Sequence, residues 1–154
     1  EQFPEILENK SLVLADQQWH QGVLGIVASR LAEKYCRPVV LFCQSDGGWA
    51  GSARSLPGID LYENISACSG HLESFGGHAM AAGLRAGPAQ IEPFRKAFES
   101  LISSSCPDSL FVQSLHIDCM VSFDMISQTL ADELAALEPF GEKNPEPLFV
   151  AEDV

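Results

Sequence analysis

Leu12-Val13-Leu14-Ala15-Asp16 leads, after a short polar loop, into Gly22-Val23-Leu24-Gly25-Ile26-Val27-Ala28-Ser29-Arg30-Leu31-Ala32-Glu33-Lys34-Tyr35 and then Val39-Val40-Leu41-Phe42-Cys43. The two outer runs are short, continuous and apolar, the pattern of strands buried on both faces. Between them Val23, Val27 and Leu31 recur every four residues, with Leu24, Ala28 and Tyr35 filling the same stripe, while Arg30, Glu33 and Lys34 face away. That spacing predicts a helix. Arg37-Pro38 stops it, because a residue before proline is pushed out of the helical region. Strand, helix and strand at this separation make a parallel crossover. The expected fold is therefore α/β, with a mixed, mostly parallel sheet flanked by helices.

Gly22 and Gly25 fall in the first turn of the predicted helix, where glycine is a poor helix former, so the close approach of another group is the expected reason for them. The helix start offers unpaired N–H donors, with Trp19 and His20 just before it. His20 is a candidate ligand contact, with plain packing as the alternative. Past a polar turn at residues 44–48, Trp49-Ala50-Gly51-Ser52-Ala53-Arg54-Ser55 returns as a strand of small residues around one arginine. Ser52 and Arg54 are two apart and share a face. A hydroxyl and a guanidinium on one face suit a terminal phosphate, since arginine donates two parallel hydrogen bonds. An arginine without such a role would pair with a carboxylate instead.

Leu56-Pro57-Gly58 turns the chain, and Asp60 with Glu63 three residues on opens a helix in the manner of a capping box, its inner face made of Leu61, Ile65, Cys68 and Leu72. Next comes Phe75-Gly76-Gly77-His78-Ala79-Met80-Ala81-Ala82-Gly83. Two adjacent glycines admit a phosphate or a neighbouring chain where a Cβ would intrude, so Gly76, Gly77 and His78 read as a contact loop. The small uncharged residues behind it suit a crowded, buried strand over residues 80–86, with the loop at its end, where α/β proteins place ligands. A third helix has Phe94, Ala97, Phe98, Leu101 and Ile102 inside, and residues 103–109 are a linker by composition. Beyond it, Leu115, Ile117, Cys119 and Val121 alternate as a strand, and Leu130, Leu134 and Leu137 mark a helix ending at Pro139. These form a C-terminal strand-helix extension.

The 154 residues suffice for one domain plus part of another. The net charge of −12 is uneven: residues 1–96 hold 8 Lys/Arg against 10 Asp/Glu, and the remainder 1 against 11. This argues against a generic nucleic-acid-binding surface with a basic stripe, and any polyanion contact is expected to be local and shallow in its salt dependence. Five widely spaced cysteines, an odd number, suit reduced thiols better than a disulfide framework. Without an apolar run of membrane-spanning length or a charged-then-apolar leader, a cytoplasmic, soluble protein is expected, with no membrane partner. The absence of an initiating Met and the strand-like run at residues 149–154 suggest a piece of a longer protein.

Hydrolysis of a phosphodiester usually draws on clustered Asp and His holding one or two metals. His20, His71, His78 and His116 have no Asp-rich partner segment, and neither CxxC, HExxH nor a GxxxxGK[ST] loop occurs. Cys68 with His71 is the nearest approach to metal-ligand spacing. The expectation is no catalytic residue and no metal ligand within this chain.

In order and spacing, the segments Trp19 through Leu31, Gly51-Ser52-Ala53-Arg54-Ser55 and Phe75 through Gly83 resemble the DHHA1 domain of the RecJ family of bacterial single-stranded-DNA-specific exonucleases. Leu137-Glu138-Pro139-Phe140-Gly141-Glu142-Lys143-Asn144-Pro145-Glu146-Pro147 is similar to that family's passage towards an OB-fold domain. The resemblance implies a 5′–3′ exonuclease of single-stranded DNA in recombination and repair, whose Mn²⁺ or Mg²⁺ sits on a DHH domain preceding this chain. It implies that Ser52 and Arg54 hold the 5′-terminal phosphate, that Gly76, Gly77 and His78 contact the nucleotide, and that His20 lines the same cleft. Residues 1–10 would end a connector, 11–106 form the DHHA1 substrate-binding domain, and 107–154 a linker and the beginning of the OB-fold region. Implied partners are single-stranded DNA, the DHH and OB-fold domains of the same protein, and single-strand-binding protein. The alternatives are a DHH-family phosphodiesterase of oligonucleotides or dinucleotides, and a non-catalytic RNA-binding DHHA1 module.

Overall fold

A computed structural model of the chain describes residues 8–45, 47–113, 115–141 and 143–151. It divides into two compact units, Glu1–Gln113 and Ser114–Val154. The connector pattern of Phe3, Ile6 and Leu7 lies outside the described residues.

The first unit holds β1 (Leu12–Asp16), α1 (Gln21–Tyr35), β2 (Val39–Ser45), β3 (Gly48–Arg54), α2 (Leu61–Ala67), β4 (Ser74–His78), β5 (Ala81–Ala86) and α3 (Ile91–Ser105). Its five strands form one sheet in the order β1-β2-β3-β5-β4. The expected crossover is present: β1 and β2 lie parallel, Leu12 opposite Val39, with α1 between them in sequence. The sheet is mixed, but the other three pairings are antiparallel, so it is mostly antiparallel rather than mostly parallel. Connection length is the reason. Two residues separate β2 from β3 and two separate β4 from β5, and a two-residue connection can only make a hairpin. With β3 and β4 both antiparallel to β5, β4 runs parallel to β3 one strand away, and β5 folds back into the gap.

Helices cover both faces. On one, Phe42, Ala53, Ala82 and Leu84 pack with Leu61 and Ile65 of α2 and with Phe94, Phe98 and Ile102 of α3. The ring of Phe94 meets Phe42 edge-on at 5.8 Å and stacks on Phe98 at 5.5 Å. On the other, Leu24, Ala28 and Ala32 of α1 lie on Leu12, Val39, Leu41 and Cys43. Of the expected stripe, Leu24 and Ala28 are buried and Leu31 and Tyr35 pack beside them, but Val23 and Val27 are 47% and 41% exposed and Ala32 is inside instead. Rows i and i+1 of a helix differ by only 100°, so a helix apolar nearly all round does not declare its inner row. Here the row with two alanines is inside, where small side chains let the helix lie close to the strands.

Asp60 caps α2, its carboxylate accepting from the Glu63 N–H at 3.0 Å, as the capping-box spacing predicts. α3 continues to Ser105, so Ser103, Ser104 and Ser105 finish a helix instead of beginning a linker. Its Glu99 ties the segment before β1 to this helix, accepting from the N–H groups of Lys10 (2.9 Å) and Ser11 (2.8 Å) and from the hydroxyls of Ser11 (2.5 Å) and Ser103 (2.7 Å). Burial pushes this carboxyl up, but the four donors outweigh it and hold it below the ordinary carboxylate value. A depressed folded-state value contributes stability that is present above the unfolded value of about 4.3 and is lost as pH falls through the folded one. The melting temperature is therefore expected to drop on acidification below about pH 4.3, and Glu99→Gln to be less stable at neutral pH with a smaller acid-dependent drop. Calorimetric melts from pH 7 downward check both.

All five cysteines are free thiols, with Cys43, Cys68 and Cys106 buried and Cys119 exposed. Burial pushes the Cys43 and Cys68 thiols up, which removes the thiolate that reacts. Disulfide reagents are expected to label Cys119 first and to reach Cys43 and Cys68 only on unfolding, as mass mapping of the labelled peptides would show.

In the second unit, β6 (Cys119–Met120) pairs parallel with β7 (Phe149–Val150), and α4 (Gln128–Ala135) starts on Ser127, whose hydroxyl accepts from the Leu130 N–H. The alternation from Leu115 to Val121 narrows to two strand residues because only Cys119 and Met120 have a ladder partner among the described residues. Leu115, outside the strand, is 74% exposed.

Candidate functional site

Residues directly opposite each other in an antiparallel ladder point to one face, and alternate residues along a strand do the same. Arg54 of β3 lies opposite Ala81 of β5, and Ala81 opposite His78 of β4; Ser52 stands in row with Gly83 and Gly76, and Ala50 with Arg85 and Ser74. These three rungs, spaced about 7 Å along the strands, share the α1 side of the sheet. α1 covers the β1-β2-β3 half and leaves β5 and β4 open: Gly76, His78, Gly83 and Arg85 are all exposed. The result is a side-chain-poor shelf that borders α1.

Ser52 and Arg54 sit at the boundary between covered and open sheet. An Arg54 Nη1–H donates to Ser52 Oγ at 3.2 Å and to the Ala53 carbonyl at 2.8 Å. Above them is Gly25 of α1, where a Cβ would lie 2.7 Å from Arg54 Nη2 and 3.3 Å from Ser52 Oγ. That is the close approach expected of this first-turn glycine. Among the described residues Arg54 has no carboxylate within ion-pair distance, so its charge remains available to a ligand.

Gly76, Gly77 and His78 are not a loop. They belong to β4, an edge strand, hydrogen-bonded to β5 around the two-residue turn Ala79-Met80. Gly77 is required by its surroundings: at φ +152° a Cβ there would stand 2.2 Å from the Ala81 carbonyl oxygen and 2.6 Å from Ala82 Cα. A Cβ on Gly76 would meet nothing within 4 Å. The strand behind is buried on one face only, Ala82, Leu84 and Ala86 inside and Ala81, Gly83 and Arg85 on the shelf side. His78 Nδ1 accepts from the Met80 N–H at 3.3 Å, which puts the ring proton on Nε2.

A groove of about 350 Å³ continues the shelf, lined by Gln21, Ala50, Gly51, Ser74, Phe75, Gly76, Gly83, Leu84 and Arg85. Gln21 and Arg85 were not candidates from sequence, although Arg85 follows Gly83 by two and so was bound to share its face. His20 stands apart from the other candidates. It caps α1, its Nδ1 accepting from the Gly22 N–H at 3.1 Å. It lines a separate concavity of about 270 Å³ with Trp19, Val23, Val27 and Leu41. At 100° per residue, His20, Val23 and Val27 lie on one flank of α1 and Gln21 and Gly25 on the other.

No three of His, Cys, Asp and Glu converge among the described residues. Cys68 is buried and His71 Nδ1 lies 3.4 Å from Gln90 Oε1. Among the described residues this pair has no third ligand beside it that would make a divalent-cation site.

The model of the DHHA1 domain matches residues 8–104. The chain belongs to the DHHA1 domain family. Following the DHHA1 part, residues 117–154 match the RecJ OB domain. The single-stranded-DNA-specific exonuclease RecJ of Bacillus subtilis is 34% identical over 149 residues, 96% of this chain and 19% of that protein. The RecJ of Thermus thermophilus is 38% identical over 143 residues, covering 93% of this chain and 20% of that one. The chain thus spans about a fifth of these relatives. Among solved structures, Thermus thermophilus RecJ in complex with Mn²⁺ superposes with a TM-score of 0.83 at 36% identity, covering 96% of this chain and 22% of that one. The same protein with Mg²⁺ gives 0.81. The C-Ala domain of Aquifex aeolicus alanyl-tRNA synthetase shares the DHHA1 fold over 60% of this chain and 90% of its own, with a TM-score of 0.54 at 14% identity.

Proposed function

We propose that this chain is the substrate-holding part of a 5′–3′ single-stranded-DNA exonuclease acting in recombination and repair in the cytoplasm. Ser52 and Arg54 take the 5′-terminal phosphate, the hydroxyl by one hydrogen bond and the guanidinium by two. Gly76 gives the strand a floor without side chains, Gly77 holds that floor in place, and the free Nε2–H of His78 donates to the nucleotide from the adjacent rung. His20, on the other flank of α1, contacts a part of the substrate or of a neighbouring domain that reaches that flank. The observation that carries this reading is the Ser52-Arg54 pair, free of any carboxylate among the described residues, at the edge of an open glycine shelf.

Phosphodiester cleavage would require Mn²⁺ or Mg²⁺, and no ligand set of three His, Cys, Asp or Glu converges among the described residues. We assign the cation to a DHH domain elsewhere in the protein, a reading supported by the similar RecJ structures that hold Mg²⁺ or Mn²⁺ and are about four times as long as this chain; the OB-fold region and single-strand-binding protein are the other partners proposed. A second reading, a module that binds RNA without catalysis, draws on the fold shared with the C-Ala domain. Anisotropy titrations of the chain with a 5′-phosphorylated single-stranded DNA and with a tRNA separate the two. Tighter binding of the DNA, lost when the phosphate is removed, is expected; tighter binding of the tRNA would overturn the exonuclease reading.

A further inference from the structure

Arg85 is the second cation on the shelf, and the terminal-phosphate site does not use it. It projects from β5 two rungs from Arg54, in row with Ala50 and Ser74, about 13 Å along the strand direction. It lines the groove whose floor is Gly76 and Gly83, above both of which the space for a Cβ is empty for 4 Å. The neighbouring carboxylate, Glu73, has its oxygens beside Gly48 and Gly87, and it makes no ion pair with Arg85. Among the described residues Arg85 has no ion pair, whereas Lys10 is paired with Asp108 and Arg95 with Glu92. In a chain of net charge −12, Arg54 and Arg85 place two arginines without an ion pair among the described residues on one open face.

We propose that Arg85 holds an internal phosphate of the bound strand, so that single-stranded DNA runs from Arg54 across Gly83 and Gly76 to Arg85 and the sheet sets its 5′-to-3′ direction. This rests on the terminal-phosphate role of Ser52 and Arg54. A 5′-mononucleotide has one phosphate and occupies Arg54 alone; an oligonucleotide presents a further phosphate to Arg85. Arg85 is thus the residue that makes a longer strand bind better than a single nucleotide.

Calorimetric titration of the whole chain with 5′-phosphorylated thymidylates of one, three and six residues tests this, using the unaltered protein, Arg85→Gln, Arg85→Lys and Arg54→Gln. Affinity is expected to rise with length in the unaltered chain. Arg85→Gln should weaken the hexamer about three- to tenfold, leave the mononucleotide unchanged, and flatten the logarithmic salt slope by about 0.7. Arg85→Lys should keep most of that slope, and Arg54→Gln should weaken every phosphorylated length. Hexamer binding by Arg85→Gln at unaltered strength and slope would overturn the proposal, as would equal loss on the mononucleotide or an unaltered chain indifferent to length. Failure of the terminal-phosphate reading shows separately, as a 5′-hydroxyl hexamer binding the unaltered chain as tightly as the phosphorylated one.

Discussion

Arg54→Ala is expected to bring the chain's affinity for a 5′-phosphorylated oligonucleotide down to its affinity for the 5′-hydroxyl form, a loss of roughly ten- to a hundredfold. That range corresponds to one charge-assisted hydrogen bond or a bidentate pair, at about 1.5–3 kcal/mol, with 1.4 kcal/mol per decade. The folded state should hardly notice. Arg54 is only partly buried, and its two hydrogen bonds go to Ser52 Oγ and to the neighbouring Ala53 carbonyl, so no buried partner is left stranded. Gly25→Ala reaches the same site from the helix above. Its Cβ would stand 2.7 Å from Arg54 Nη2, and the end of a long side chain can move aside cheaply. Gly25→Ala should therefore melt near the temperature of the unaltered chain while losing most of its preference for phosphorylated ends. Titration of each variant with matched phosphorylated and unphosphorylated strands measures the difference. A preference that survives in both variants would mean that Arg54 is not the phosphate ligand.

The second large effect is on stability. Gly77→Ala puts a Cβ 2.2 Å from the Ala81 carbonyl oxygen and 2.6 Å from Ala82 Cα. Both atoms are backbone of the paired strand, so relief requires opening the β4-β5 ladder. A loss of about 3 kcal/mol is expected, which for a domain of this size lowers the melting temperature by roughly 10 °C. Gly76→Ala, one residue away, has open space for its Cβ and should melt within a degree or two of the unaltered chain, while its methyl group on the shelf floor weakens oligonucleotide binding. Thermal melts of the two variants side by side check this. Equal melting temperatures would contradict the close β4-β5 approach.

These paired glycines also mark the limit of what the sequence discloses. Gly76-Gly77-His78 identified a place of close contact, but not that the contact with Gly77 is another backbone and the opening above Gly76 is surface. Strand and loop both use glycine, and only the two-residue spacing to Ala81 distinguishes them. The crossover through α1 was legible because both strands and the helix carry strong, different periodicities. The sense of the remaining strands was only half legible: Asp46-Gly47 between β2 and β3 is a strong hairpin signal in the sequence, whereas Ala79-Met80 between β4 and β5 carries none. Ser52 and Arg54 were legible as a shared face from their spacing of two. Their relation to Gly25, and the separation of His20 from the shelf, depend on which row of α1 faces inward, which a helix of mostly small and apolar residues does not reveal. Arg85 carried the same spacing signal relative to Gly83, but it lies outside any glycine-rich block and nothing local drew attention to it.

The most direct test of terminal-phosphate capture is a pair of titrations of the isotope-labelled chain, one with a short single-stranded DNA bearing a 5′-phosphate and one with the same DNA bearing a 5′-hydroxyl, followed by backbone amide shifts. Capture by Ser52 and Arg54 predicts shifts at residues 51–55, and at residue 25 above them, that appear only with the phosphate, together with shifts at residues 76–78 in both titrations. Equal shifts at residues 51–55 with either end would contradict it.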